Sequence, residues 1–185
     1  MMERIAVLID GGYLTKILER HFGKPKVDYQ RLIEWIRGQD ELFRAYYYDC
    51  RPRQSADPTP EERSETSKAD RFFHALQSIP RLTLRFGKLQ YKGTADDGRP
   101  LFAQKGVDLQ LGLDAATLVF HDRIDVLALL AGDSDLLPAV RLAKNYGVVV
   151  KLVHGPHRTY NAELWETADE RIEITAEAIR ALRLR

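Results

Sequence analysis

The chain has 185 residues and is nearly neutral, with 28 Lys plus Arg residues against 27 Asp plus Glu residues and a net charge of +1. This length suffices for one domain with its own hydrophobic core. The charge balance excludes nucleic-acid binding through a strong overall positive potential, so that such binding needs a local basic patch. The single cysteine, Cys50, excludes an intramolecular disulfide, and no apolar run approaches the ~20 residues of a membrane span, so we expect a cytoplasmic protein with no membrane partner.

Short apolar runs alternate with helical patterns along the chain. Runs that are apolar throughout are typical of strands that are covered on both faces, as in a parallel sheet. We predict strands at residues 4–9, 44–49, 82–86, 125–131 and 148–153.

Helices are predicted between these strands, at residues 28–38, 59–79, 107–119 and 134–147, and after the last strand, at the C-terminal residues 176–185. Thr59 is the expected N-cap of the second helix, with Pro60 at its first position and Glu62 completing a capping box. Two stretches are predicted as loops, residues 50–60 and residues 90–106, the second with a hairpin turn at Asp97-Gly98. The alternation of strands and helices predicts a single α/β domain over residues 1–185, with a mainly parallel central β-sheet flanked by helices.

Aspartates follow the central strands at the points where helices begin. Asp10 comes directly after "IAVLI", Asp133 and Asp135 come after "VLALLAG", and Asp108 opens the helix after "QKGV". In open α/β sheets, ligands bind beyond the carboxyl ends of the strands. Oxygen clusters of this kind suit Mg²⁺ or Mn²⁺, and such ions support phosphodiester hydrolysis.

Helix capping is the alternative interpretation of these acids, because an Asp at a helix start satisfies backbone N–H groups without any further function. Ser134 is expected to be the cap of its helix. For Asp135, the sequence favours helix capping and metal ligation equally. That assignment leaves Asp133 without a structural role, and an unpaired carboxylate at Asp10 would be costly in a buried position. The sequence therefore favours Asp10 and Asp133 as functional residues.

Two neighbouring residues are secondary candidates. Asp114 lies six residues after Asp108, at the border of an apolar stripe, where it either supports another site residue or pairs with an arginine. Lys105, just before Asp108, is placed to meet a scissile phosphate, with a solvated loop lysine as the alternative.

Three motifs together resemble a known family. The segments "LIDGGYL" (8–14), "QKGVDLQLGLD" (104–114) and "LLAGDSDLLPAV" (129–140) occur in the order found in the NYN domain. This PIN-like family of metal-dependent ribonucleases includes the bacterial LabA-like proteins. The similarity covers about residues 3–175.

The resemblance implies a PIN-like three-layer fold and an acidic pocket of Asp10, Asp108, Asp133 and Asp135 for Mg²⁺ or Mn²⁺, with RNA as substrate. It also implies a supporting role for Asn161 and a structural or supporting role for Asp169 near the C-terminus, although many members have a Ser where this chain has Asn161. Ser134, which lies between two of the acids, is expected to support the site as well. Many members carry an Asn at the position of Tyr13, which here is expected either to stack on a base or to pack. PIN-like proteins are often dimers, which favours a homodimer.

RNA binding by a neutral chain requires a local basic surface. The predicted surface is "RFGKLQYKG" (85–93), whose Arg85, Lys88, Tyr91 and Lys92 mix cations with an aromatic ring for stacking. Further cations that would extend it are Arg51, Arg53, Arg99, Lys105, His154, His157 and Arg158. The alternative is an edge strand whose lysines prevent pairing with other chains.

The positions of the acids and glycines raise four candidate functions. The sequence favours a divalent-metal ribonuclease, with a non-catalytic RNA-binding module as the main alternative, since fold does not fix function. A phosphatase of the haloacid dehalogenase type is disfavoured, because its second Asp would stand where this chain has Gly12. A dinucleotide-binding domain is disfavoured because "GG" after Asp10 is not a G-x-G-x-x-G motif.

Overall fold

The computed structural model of the protein describes residues 2–94 and 100–184. These residues form seven strands and seven α-helices. The strands are β1 (Arg4–Asp10), β2 (Glu41–Cys50), β3 (Leu82–Thr94), β4 (Pro100–Lys105), β5 (Val126–Leu130), β6 (Val149–His154) and β7 (Glu170–Glu173). The helices are α1 (Gly11–Phe22), α2 (Tyr29–Arg37), α3 (Pro60–Gln77), α4 (Val107–Phe120), α5 (Leu137–Asn145), α6 (Ala162–Thr167) and α7 (Ala176–Leu182).

The strands form one sheet in the order β4-β3-β2-β1-β5-β6-β7. Every neighbouring pair is parallel except β3 and β4, which form an antiparallel hairpin. From β1 the chain passes to β2 on one side, and it later returns to place β5 on the other side. The strand order therefore reverses between β1 and β5, the position at which open α/β sheets form a ligand crevice.

The sheet separates two hydrophobic layers. Along β1, Ala6 and Leu8 join the layer formed by α4, α5 and α6, whereas Ile5, Val7 and Ile9 join the layer formed by α1, α2, α3 and α7. All five side chains are fully buried, as expected for a strand that is covered on both faces. The predicted three-layer α/β fold is confirmed.

Most predicted elements are present with shifted ends. The capping box of Thr59 and Glu62 is confirmed at the start of α3, and Gly147 follows α5 in a left-handed conformation. β3 is longer than predicted, because it continues to Thr94 in a hairpin with β4, so much of the predicted loop at 90–106 is strand. The predicted turn at Asp97-Gly98 lies outside the described residues.

No helix in the described ranges combines the length and the apolar composition that crossing a membrane requires.

Candidate metal centre

The carboxyl end of β1 places Asp10 at the start of α1. The Asp10 side chain is the N-cap of this helix, and its Oδ1 accepts the backbone N–H of Tyr13 at 3.0 Å. The next residue must be small, because a Cβ on Gly11 would lie 2.3 Å from the Tyr47 hydroxyl oxygen. The Asp-Gly sequence thus lets the chain turn directly from the buried strand into the helix while it holds the carboxylate at the sheet edge.

The carboxyl end of β5 presents Asp133 and Asp135 on a short 3₁₀ turn, Ser134–Leu136, which precedes α5. Asp133 is the N-cap of this turn, since its Oδ1 accepts the backbone N–H of Asp135 at 3.0 Å. The prediction that Ser134 caps the helix is therefore wrong, and of the two alternatives for Asp135 capping does not hold. Asp133, which was expected to lack a structural role, is itself the cap. The chain enters a tighter turn than an α-helix, so the cap falls one residue earlier, and the Ser134 hydroxyl only approaches Asp133 Oδ1 at 3.4 Å.

The third acidic segment is the first turn of α4, which carries Asp108. Gly106 begins this helix in the left-handed conformation, with φ of 83°. The turn brings Asp108 to the end of β5, where one carboxylate oxygen from each of Asp108, Asp133 and Asp135 lies within 4.8 Å of the others. We call these three residues the acidic triad.

Asp10 lies outside the acidic triad but faces the same cleft. The cleft has a volume of about 770 Å³ and is lined by both Asp10 and Asp108, together with Asp133. Asp108 is half-buried, whereas Asp133 and Asp135 are exposed. The four predicted acids thus converge on one edge of the sheet, three of them close enough to share an ion.

Burial and neighbouring negative charges raise the pKa values of two of these acids, Asp10 and Asp108. Burial raises the pKa of Asp10 to about 6, and the nearby charge of Asp108 adds to this effect. Burial also raises the pKa of Asp108, with further contributions from the charges of Asp133 and Asp135. A bound cation would relieve this repulsion, because it favours the charged form of each carboxylate.

The cation that faces the cleft is Lys16 rather than Lys105. Lys16 lines the cleft from α1, and its charge lowers the pKa of both Asp10 and Asp108. The side chain of Lys105 is exposed and does not line this cleft. Lys16 lies four residues after Gly12 and therefore on the same face of α1. Because Gly12 lies next to the end of β1, this spacing could have identified Lys16 as a cleft residue from the sequence.

Tyr13 and Asn161 position the backbone around the acids. The Tyr13 hydroxyl accepts the backbone N–H of Gly155 at 3.1 Å and lies 3.2 Å from the Thr159 hydroxyl. The Asn161 N–H donates to the carbonyl of Gly132, directly before Asp133, at 2.9 Å. The ring of Tyr13 packs so closely on Gly132 that a Cβ there would lie 2.4 Å away. Of the two expectations for Tyr13, the structure shows packing.

The secondary acids are held by cations elsewhere. Asp114 accepts from the Arg85 guanidinium at 2.9 Å and from the Tyr48 hydroxyl at 2.9 Å, so the arginine-pairing alternative holds for this residue. Asp169 pairs with Lys144 at 2.8 Å and accepts a backbone N–H from β6. These two residues stabilise the fold away from the cleft.

Gln104 is a cleft residue that the sequence did not identify. It lines the cleft from β4, and its Nε2 lies 3.3 Å from Oδ1 of Asp49, at the end of β2. Burial raises the pKa of Asp49. Asp49 lies at the carboxyl end of β2 as Asp10 lies at the carboxyl end of β1, and this shared position could have identified it from the sequence. The contact joins the hairpin to the sheet edge.

The predicted RNA-binding residues are divided between two environments. Arg85 is engaged by Asp114, whereas Lys88 and Tyr91 line a separate surface together with Arg51 and Arg53. Lys92 is exposed on the hairpin, His154 is buried, and Arg99 lies outside the described residues.

Comparisons with known proteins agree with this architecture. The family model of the NYN domain matches residues 4–175. An uncharacterized protein of Methanocaldococcus jannaschii is 37% identical over 78 residues, which is 42% of this chain and 32% of the relative; the match thus spans about a third of that relative's length. A crystal structure of a Vibrio parahaemolyticus protein of unknown function superposes with a TM-score of 0.67 at 23% identity, covering 94% of each chain. That structure supports the fold.

Proposed function

The chain belongs to the NYN domain family, a family of PIN-like nucleases, and we propose that it is a divalent-metal-dependent ribonuclease that hydrolyses RNA phosphodiester bonds. The observation that carries the proposal is the acidic triad, which joins two separate segments at the switch point of the sheet. Asp10 adds a fourth carboxylate to the same cleft. RNA is the substrate class that the family resemblance implies.

The donor set fits a hard divalent ion. Three carboxylate oxygens within 4.8 Å of one another provide the oxygen ligands that Mg²⁺ and Mn²⁺ prefer, and the exposure of Asp133 and Asp135 leaves room for the waters that such ions retain. His and Cys do not take part in this group. Asp108, Asp133 and Asp135 would therefore hold the ion, and Asp10 would complete its surroundings.

When bound, the ion would lower the pKa of a water and offset negative charge that develops at the phosphate. Side chains of the cleft would bind the phosphate and hold the acids in place. Lys16 provides a positive charge opposite Asp10 and Asp108, which attracts a phosphate into an otherwise acidic cleft. Tyr13 and Asn161 fix the loop that carries Asp133, which holds its carboxylate in a preorganised position.

The test is cleavage of an end-labelled single-stranded RNA by the purified protein in Mn²⁺, Mg²⁺ or EDTA. We expect cleavage in the presence of either ion and none in EDTA. Asp10→Asn and Asp133→Asn should abolish it, whereas Asp169→Asn, which changes an acid outside the cleft, should retain it. Cleavage that is unchanged in Asp10→Asn and Asp133→Asn would overturn the proposal.

The exposure of Asp133 and Asp135 also suits a non-catalytic RNA-binding module, in which the acids hold an ion without turnover. RNA binding that is retained while the protein shows no metal-dependent cleavage would favour this second function.

A further inference from the structure

A surface of mixed cationic and aromatic side chains adjoins the acidic cleft. Five residues form this surface, which we call the basic-aromatic shelf: Arg51 and Arg53 from the loop after β2, Lys88 and Tyr91 from β3, and Phe102 from β4. They border a cavity of about 460 Å³. Three distant segments of the chain thus contribute to one concave surface.

One of the two aromatic rings of the shelf, that of Phe102, has a cation above it. The Arg53 guanidinium lies over the ring of Phe102, 5.2 Å from its centroid. Tyr91 is paired with Phe102 across the hairpin, with ring centroids 5.8 Å apart and ring planes inclined by 60°. Tyr91 is 57% exposed, so its ring is available to a ligand. Arginine over an aromatic ring and open ring faces are both features that bind nucleobases.

Phe102 connects the shelf to the acidic cleft, because it lines both. The two surfaces differ in charge. Asp10, Asp108 and Asp133 line the cleft, whereas the described residues that line the shelf include Arg51, Arg53 and Lys88 and no acid. Arg51 also pairs with Asp70 at 2.7 Å, so Arg53 and Lys88 carry most of the positive charge that the shelf offers.

We propose that the basic-aromatic shelf binds unpaired nucleotides of an RNA strand beside the acidic cleft, with bases stacked on Tyr91 and Phe102 and phosphates held by Arg53 and Lys88. The proposal rests on the proposed function, and it names the substrate class as single-stranded RNA on this side of the cleaved bond. Stacking requires an open base face, which is inaccessible in a base-paired helix. Phosphates repelled by the acids would be attracted by the adjacent cations.

Protection of an edge strand is the competing explanation for cations on this hairpin, because lysines on edge strands prevent pairing with other chains. Protection of the edge strand does not require Arg53, which comes from a separate loop. It also does not require an aromatic ring, that of Phe102, which lines both the shelf and the cleft. The shelf therefore fits a ligand with both π-faces and negative charges better than it fits strand protection.

The test measures binding without cleavage. The fluorescence anisotropy of a labelled ten-nucleotide single-stranded RNA is followed in EDTA, with the full chain and its variants. Phe102→Ala should weaken binding roughly five- to hundredfold, the range for loss of one stacked base. Leu101→Ala is the matched control, since Leu101 precedes Phe102 on β4, is 49% exposed and does not line the shelf. It should bind as the wild type does.

A second pair of variants avoids the packing of β4. Tyr91→Ala should also weaken binding, whereas Tyr146→Ala should not, although both tyrosines are 57% exposed. Arg53→Ala should lower the slope of log affinity against log salt by about 0.7, as expected for one lost phosphate contact on a single strand. Phe102→Ala should leave that slope unchanged, which separates stacking from charge. Arg180→Ala, an exposed arginine of α7, is the control for lost charge.

The outcomes separate this proposal from the ribonuclease function. Wild-type affinity in Phe102→Ala, Tyr91→Ala and Arg53→Ala would overturn the shelf even if RNA is cleaved. A blunt RNA duplex that competes as well as the single strand would also overturn it. Weaker binding by these variants in a protein that never cleaves RNA would support the shelf and contradict the ribonuclease.

Discussion

The carboxylates at the two ends of the sheet differ in whether a cationic side chain of the protein pairs with them. At the amino end, Asp125 precedes β5 and accepts the backbone N–H of Arg4 at 2.7 Å and its guanidinium at 3.2 Å. The Arg4 side chain lowers the pKa of Asp125. At the carboxyl end, by contrast, the pKa values of Asp10 and Asp108 are raised. Within the described ranges, no lysine or arginine forms an ion pair with Asp10 or with any member of the acidic triad.

This difference separates acids that the chain itself neutralises from acids that it leaves without a cationic partner. The chain itself neutralises Asp125, and it does the same for Asp114 and Asp169. The cleft acids face one another and solvent, an arrangement that costs stability unless a cation is added. Perturbed acids in a cleft are the expected signature of a functional site.

The largest expected effect is on catalysis. Asp108→Asn should reduce metal-dependent RNA cleavage by at least about a hundredfold, because it removes one ligand of the acidic triad. Asp125→Asn, a matched change at the opposite end of the sheet, should leave the cleavage rate within about twofold of wild type. Initial rates on the same RNA measure both. Equal losses in the two variants would mean that the ends do not differ in function.

Addition of metal should stabilise the protein through the carboxyl end alone. Mn²⁺ at about one hundred times its dissociation constant should add about 2.7 kcal/mol to the free energy of unfolding. Urea unfolding with and without Mn²⁺ measures this gain. Asp125→Asn should retain the gain, and Asp108→Asn should lose most of it. A gain that persists in Asp108→Asn would place the ion elsewhere.

Asp10→Asn should stabilise the metal-free protein above pH 6. The folded-state pKa of Asp10 is raised to about 6, so its contribution to stability is fully present below the unfolded pKa of about 3.9 and is lost as pH rises through 6. Asn keeps the N-cap without the charge. The variant should therefore gain about 2–3 kcal/mol at pH 7.5 and almost nothing at pH 4.

Urea unfolding in EDTA at these two pH values measures the gain. Asp28→Asn is the control, since Asp28 is also a helix N-cap with an acceptor role, at the start of α2 and away from the cleft. It should show no comparable gain. If Asp10→Asn were less stable than wild type at pH 7.5, Asp10 would be neutralised by the fold, as Asp125 is.

The smallest effect is expected at the amino end. Asp125→Asn should cost up to about 1 kcal/mol at pH 7, because the Arg4 pair is partly exposed. The folded-state pKa of Asp125 is lowered, so its contribution is present above the unfolded pKa of about 3.9 and is lost as pH falls through the folded value. Thermal unfolding of variant and wild type should converge in acid. A difference that grows below pH 4 would contradict this assignment.

The sequence predicted the parts of the site that depend on local order along the chain. Strands such as β1 and β5 are apolar throughout, and the residue that follows such a strand must lie at the carboxyl edge of the sheet. The positions of Asp10 and Asp133 followed from that rule, and that of Asp108 from its place at the start of a predicted helix. The capping box at Thr59 followed in the same way, because both partners lie within one helical turn.

The parts that the sequence did not predict depend on contacts between distant segments. Arg85 is paired with Asp114, 29 residues away, which removed a predicted RNA-binding cation. Lys16 faces the acids because α1 and the first turn of α4, which lie on opposite faces of the sheet, both border the cleft at its edge. Phe102 belongs to the shelf because β4 pairs with the extension of β3, and the sequence analysis placed Phe102 in a loop. The cap at Asp133 was missed because sequence pattern does not separate a 3₁₀ turn from an α-helix.

The most direct test of the metal centre is a crystal of the protein soaked in Mn²⁺, with anomalous scattering measured to locate the ion. We predict an anomalous peak in the cleft, about 2.1 Å from carboxylate oxygens of Asp108, Asp133 and Asp135, and its absence from crystals of Asp108→Asn. A cleft without a peak at saturating Mn²⁺, or an equal peak in Asp108→Asn, would contradict the account.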